Sequence, residues 1–167
     1  MSTDTAISLI EDAYSAYADM IFRHCYFRLM DRERGKELMQ ETFIRALEYA
    51  RKGSTIEQMK AFLFRIANNL IIDDVRRKKE LSLDTLQEEG FDPHGSGEQE
   101  ILQNLADQEM ISILSKLDAP DRDLIIMRYV DGMKPREMSE YLNLNPNIIS
   151  VRLHRAMKSL EQLIKAA

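Results

Sequence analysis

Four consecutive cations, Arg76-Arg77-Lys78-Lys79, close a stretch that also carries Arg65, Asn68 and Asn69. At helical spacing Arg65, Asn68, Asn69, Arg76 and Lys79 share one side with Ile72, while Leu63, Ile66, Ala67, Leu70 and Ile71 share the other. A cationic strip interleaved with amides has the chemistry to follow a nucleic-acid backbone and to hydrogen-bond exposed bases. Phe62 or Phe64 adds a ring on which a base can stack. Part of the pattern admits plainer roles, because cations in a last turn suit the helix dipole and Asp73 can pair with Arg76 or Arg77. Those roles account for two of the cations better than for all four.

A second pattern of the same kind lies in residues 134–163. A short helix containing Met138 and Leu142 leads into a turn at Asn143-Leu144-Asn145, and a longer helix begins at Pro146, where a missing N–H costs no intrahelical bond. This is the spacing of a helix-turn-helix, whose second helix enters the DNA major groove. Ile149, Leu153, Ala156, Met157, Leu160 and Ile164 make its apolar stripe. Asn147, Val151, His154, Arg155 and Lys158 oppose that stripe, flanked by Ser150 and Arg152. Asn147, Ser150 and Arg152 supply donors and acceptors for base edges, Val151 can touch a thymine methyl, and Arg155 and Lys158 can meet phosphates. An amphipathic surface helix with a solvated basic face would carry the same stripe.

The third constellation is acidic. Opposite a stripe of Met39, Phe43, Ala46, Leu47 and Ala50 stand Glu37, Gln40, Glu41, Ile44 and Glu48. Polar groups around one outward isoleucine can dock on a basic partner with Ile44 as anchor, although a merely solvated face reads the same way.

Positioning these groups takes helices throughout. Apolar periodicity and helix-ending residues predict helices near residues 6–30, 32–51, 57–79, 98–116, 120–130, 134–142 and 146–165, with no segment alternating as a strand does. Gly53-Ser54 ends the second, Asp118 and Pro120 open the fifth, and Asp131-Gly132 closes it. The expected fold class is all-α: two small helical domains, residues 1–80 and 100–167, joined by a linker over 81–99. Acidic residues with Gly90, Pro93, Gly95, Ser96 and Gly97 oppose both helix and strand in that linker.

A net charge of −5 on 167 residues at first argues against a nucleic-acid partner. Nine acidic residues and no lysine or arginine fall between Glu80 and Ser115, however, so the rest of the chain carries +4. With 44% hydrophobic residues the chain has enough apolar material for such domains. No apolar run approaches the roughly 20 residues that span a bilayer, and Met1 to Glu11 lack the form of a signal peptide, so a cytoplasmic protein is expected. His24, His94 and His154 are too far apart to suggest a metal cluster, and Cys25 reads as a packed helix residue. With no constellation of nucleophile, base and oxyanion donors, neither an enzyme nor a cofactor is expected.

The same residues resemble the extracytoplasmic-function (ECF) sigma factors. Glu37-Leu38-Met39-Gln40-Glu41-Thr42-Phe43 is similar to that family's polymerase-clamp motif. Phe62-Leu63-Phe64-Arg65-Ile66-Ala67-Asn68-Asn69, with Asp73 and Arg76-Arg77, is similar to its minus-ten helix. Arg122, Arg128, Gly132 and Arg152-Leu153-His154-Arg155-Ala156 resemble the domain that reads the minus-thirty-five element. The resemblance implies a transcription initiation factor whose partners are core RNA polymerase and promoter DNA. Glu37, Gln40 and Glu41 would contact the polymerase clamp, with Ile44 beside them, and residues 53–62 would capture a flipped base. Phe62, Arg65, Asn68, Asn69, Arg76 and Arg77 would handle the minus-ten strand, and Asn147, Ser150, Val151, Arg152, Arg155 and Lys158 the minus-thirty-five duplex.

The chain departs from the family pattern in three places. Phe62 stands where tryptophan is common, Met133-Lys134-Pro135 where Leu-Ser-Tyr is common, and Asn145 to Val151 where Pro-x-Gly-Thr-Val-Lys-Ser is common. Serine in place of lysine at position 150 removes a phosphate-attracting charge. Two rival readings follow: a helix-turn-helix regulator that binds duplex DNA without polymerase, and a sigma-like mimic that binds an anti-sigma factor.

Overall fold

The computed structural model describes residues 2–81 and 98–166, with side chains in the second stretch from Leu105 onward. The chain divides into two compact units, Met1–Leu86 and Gln87–Ala167. The described residues form seven helices and no strand, so the fold class is all-α. Most of the acidic linker, including Glu88, Glu89 and Asp92, lies outside the described residues.

Unit 1 consists of α1 (Thr3–Leu29), α2 (Arg32–Arg51) and α3 (Met59–Leu81). Ser2 caps α1 by accepting the Thr5 N–H at 3.2 Å. That helix stops at Met30, whose left-handed backbone (φ 57°) lets its N–H reach the Tyr26 carbonyl at 2.8 Å. Asp31 then caps α2 by accepting the Arg34 N–H at 3.1 Å. With only Met30 and Asp31 between them, α1 and α2 fold back as a helical hairpin. Gly35 permits the close crossing, for a Cβ there would lie 3.0 Å from the Tyr26 Cα.

The three helices pack on one another around Ala6, Ile10, Ile21, Cys25, Leu38, Met39, Phe43, Ala46, Leu63, Ala67, Leu70 and Ile71. Met39, Phe43, Ala46 and Ala50 are buried as their spacing requires, and Leu47 is half-buried. Ile21 and Leu63 are fully buried, and cutting either to alanine removes contacts worth about 2–5 kcal/mol. Cys25 is a packed residue of α1, fully buried.

Unit 2 begins with α4 (Glu98–Leu114). Next comes α5 (Ala119–Ile125), opened by Asp118 with Pro120 in its first turn. The helix expected over 120–130 does not stay regular, since Ile126–Val130 widens into a π-turn. The Asp131 N–H there bonds the Ile126 carbonyl five residues back at 3.0 Å. Gly132 ends this run with a positive φ of 70°.

The last two helices are α6 (Pro135–Leu142) and α7 (Pro146–Ala166). Leu124, Met127, Met138 and Ile149 form a core against which Met133, Leu142, Leu144 and Leu153 pack. Ile164, expected on the apolar stripe of α7, is 46% exposed, in the last turn of a helix that ends at Ala166. Among the described residues no helix is long and apolar enough to cross a membrane.

Candidate nucleic-acid and protein interfaces

On α2, Glu37, Gln40 and Ile44 are exposed, Ile44 to 52%. Glu41 is partly covered and pairs with Arg45 one turn on, at 3.0 Å. Glu37 is not a lone carboxylate. Its Oε2 accepts from Arg34 Nη1 at 2.5 Å, and Arg34 Nε donates at 2.5 Å to Oδ1 of Asp74 on α3. Asp74 is buried, and its Oδ2 has no hydrogen-bond partner. Burial works against the Arg34 charge, but hydrogen bonds and attraction from Glu37 and Asp74 outweigh it and raise the guanidinium above its ordinary pKa. No pattern in the sequence singles out Arg34 or Asp74. The Arg34–Glu37 spacing is visible there, whereas the bond from Arg34 to Asp74 spans 40 residues and leaves no local signal.

On α3, Arg65, Asn69, Arg76 and Arg77 are exposed. Asp73 makes no ion pair with Arg76 or Arg77 among the described residues. Asn68 departs from the expected outward strip. It is half-buried, and its Oδ1 lies 2.6 Å from Nε2 of His24, a buried residue of α1. Arg28 Nη1 lies 2.9 Å from the other ring nitrogen, Nδ1. Arginine can only donate, so Nδ1 accepts, and the neutral ring carries its proton on Nε2, directed at Asn68.

The two candidate stacking rings differ in environment. Phe64 packs edge-on against His24, with centroids 4.7 Å apart. Phe62 is half-buried and lies 4.8 Å from the ring of Tyr49, which is 40% exposed. Tyr49 adds an aromatic surface to that edge that spacing within α2 did not flag.

In unit 2 the turn is built by its asparagines. Asn143 closes α6 in the left-handed region (φ 54°), and Oδ1 of Asn145 accepts the Asn147 N–H at 2.8 Å, capping α7. Ile149 is fully buried, which turns Asn147, Ser150, Val151, Arg152, Arg155 and Lys158 to the surface; all six are exposed. Two of the six, Arg152 and Arg155, also line a groove of about 500 Å³ with Asp121, Asp123, Leu124, Leu142 and Leu144.

Comparison with known proteins matches residues 13–80 to the sigma-70 region 2 family and residues 107–160 to the sigma-70 region 4 family. The ECF RNA polymerase sigma factor SigW of Bacillus subtilis is 26% identical, over 92% of this chain and 88% of its own length. BldN of Streptomyces coelicolor, also an ECF RNA polymerase sigma factor, is 26% identical over 90% of this chain. The match spans only 58% of BldN. The fold is similar to that of the sigma factor RpoE of Bartonella quintana, solved in complex with the anti-sigma factor NepR. The TM-score is 0.66 at 18% identity, covering 93% of this chain and 96% of that one. With region 2 and region 4 in that order along an all-helical chain, this protein belongs to the ECF sigma factors of the sigma-70 family.

Proposed function

We propose that this chain binds core RNA polymerase and directs it to promoters, contacting the minus-ten element with unit 1 and the minus-thirty-five element with unit 2. The observation that carries this reading is the pair of unlike faces on unit 1. Glu37, Gln40 and Ile44 are exposed on α2, and Arg65, Asn69, Arg76 and Arg77 on α3. An acidic face with an apolar anchor suits a basic protein surface, and a cationic strip suits a phosphate backbone. No covalent step belongs to the chain. Strand opening is favoured because a base leaving the stack gains contacts that the closed duplex lacks, and residues 53–62, between α2 and the first turn of α3, offer them. On α7, Asn147, Ser150, Val151 and Arg152 read base edges, while Arg155 and Lys158 hold phosphates. The anti-sigma complex of the Bartonella relative supports an anti-sigma partner here as well.

Run-off transcription on a genomic fragment library, with core polymerase and with or without the protein, tests the proposal. Transcripts that depend on the protein are expected. A duplex footprint without polymerase would favour a helix-turn-helix regulator, and binding to an anti-sigma factor with no transcripts would favour a mimic.

A further inference from the structure

Asn68 sits at the border between the cationic strip of α3 and the packing of that helix on α1. Its oxygen is turned inward, with Oδ1 2.6 Å from Nε2 of His24, a ring only 2% exposed. Two neighbours hold that ring. Arg28 donates from Nη1 to Nδ1 at 2.9 Å, and Phe64, one turn before Asn68, meets the ring edge-on. Because a guanidinium has no acceptor, Nδ1 keeps its lone pair and the ring proton stays on Nε2. A flipped Asn68 amide would set its N–H groups against that N–H, so the orientation of Asn68 is decided from α1.

We propose that His24 and Arg28 are positioning residues that make Asn68 a hydrogen-bond donor toward the minus-ten strand. At the position Asn68 meets, they thereby select guanine or thymine, which carry an exocyclic carbonyl, over adenine or cytosine. The inference rests on unit 1 contacting the minus-ten element, the reading given above. Asn68 is half-buried, beside exposed Asn69 and one turn before Ile72, which is 55% exposed. An asparagine with both arms available pairs with adenine through two bonds, accepting from N6 and donating to N7. Here the accepting arm is held on a buried ring, so the nitrogen arm is the one to meet a base. That nitrogen carries two N–H groups, and one can serve within the protein while the other reaches the ligand. An exocyclic carbonyl accepts such a bond, whereas an exocyclic amine sets hydrogens against hydrogens.

The test begins with the full-length protein alone. Nitrogen NMR shifts of the His24 ring should show the Nε2–H tautomer at neutral pH. A ring protonated on Nδ1, or on both nitrogens, overturns the inference. Arg28→Leu should admit the Nδ1–H form, and a ring unchanged by that variant overturns the part given to Arg28.

A second arm adds core polymerase and a promoter recovered by run-off transcription, with each minus-ten position varied through all four bases in competition. Asn68→Ala identifies the position it meets as the one whose preference it erases. There the wild type should favour guanine or thymine about threefold to tenfold, the worth of one hydrogen bond. Asn68→Asp accepts from His24 but offers no donor outward, so it should reverse the order. His24→Leu should erase the preference, and His24→Gln, which keeps an N–H donor, should retain it. A merely structural His24 would weaken binding to all four bases alike. Wild-type preference for adenine or cytosine, no position altered by Asn68→Ala, an unreversed order in Asn68→Asp, or a preference that survives His24→Leu overturns the inference and leaves the polymerase reading intact. Absence of protein-dependent transcripts overturns that reading and the inference with it. Should His24→Leu fail to fold, the reversal by Asn68→Asp still decides.

Discussion

The imidazole of His24 holds the Asn68 side chain by its amide oxygen, Nε2 to Oδ1 at 2.6 Å, across the α1–α3 contact. Removing the ring leaves the Asn68 oxygen without this donor at a half-buried site. We predict that His24→Leu costs about 1–3 kcal/mol, read as faster native-state hydrogen exchange at the slowest α1 amides. Unchanged exchange would mean that water replaces the ring at no cost.

The polymerase contact is tested by Gln40→Ala with Glu41→Lys. Reversing a charge on an acidic docking face should weaken core-polymerase binding by about tenfold or more. A pull-down of the folded variant with wild-type affinity would remove α2 from the interface.

For the cationic strip, Arg76→Ala with Arg77→Ala should spare polymerase binding and impair promoter opening. Losing two phosphate contacts should also flatten the salt dependence of DNA binding by about 1.5 in log–log slope. Permanganate reactivity at the start site equal to wild type would contradict the assignment.

In the helix-turn-helix, Asn145→Ala removes the side chain that caps α7. A loss of about 1 kcal/mol in unit 2 stability is expected, with weaker binding to minus-thirty-five duplex because Asn147 and Ser150 lie in the turn that frays. Thermal melts and duplex affinity measured together check it. A drop in affinity with no drop in stability would point to direct DNA contact by Asn145 instead.

Much of the framework was legible because its signals are local. The bounds of α2, read as 32–51, match because a capping aspartate precedes it and Gly53 follows. The turn at Asn143 to Asn145 was legible for a similar reason, since asparagine tolerates a left-handed backbone and caps the next helix. The π-turn was not, because Leu124 to Met127 are consecutive buried residues whose run shows no period to interrupt. The sites were legible as faces and not as contacts. Helical spacing places Asn68 on the outward strip, yet His24, 44 residues earlier, recruits it. Arg34 to Asp74 and the groove joining Arg152 and Arg155 to Asp121 and Asp123 likewise depend on which helices meet, which periodicity within one helix does not encode.

The two-residue joint at Met30 and Asp31 also bears on the time course of folding. Neighbouring helices joined so tightly make contacts between residues close in sequence, and closing a short loop costs little entropy. As the chain emerges from the ribosome, α1 and α2 can zip together before the residues of α3 have been synthesised. The cationic helix then docks onto a hairpin that is already waiting for it. Refolding of this unit should accordingly be quick, on the microsecond-to-millisecond scale of small helical proteins.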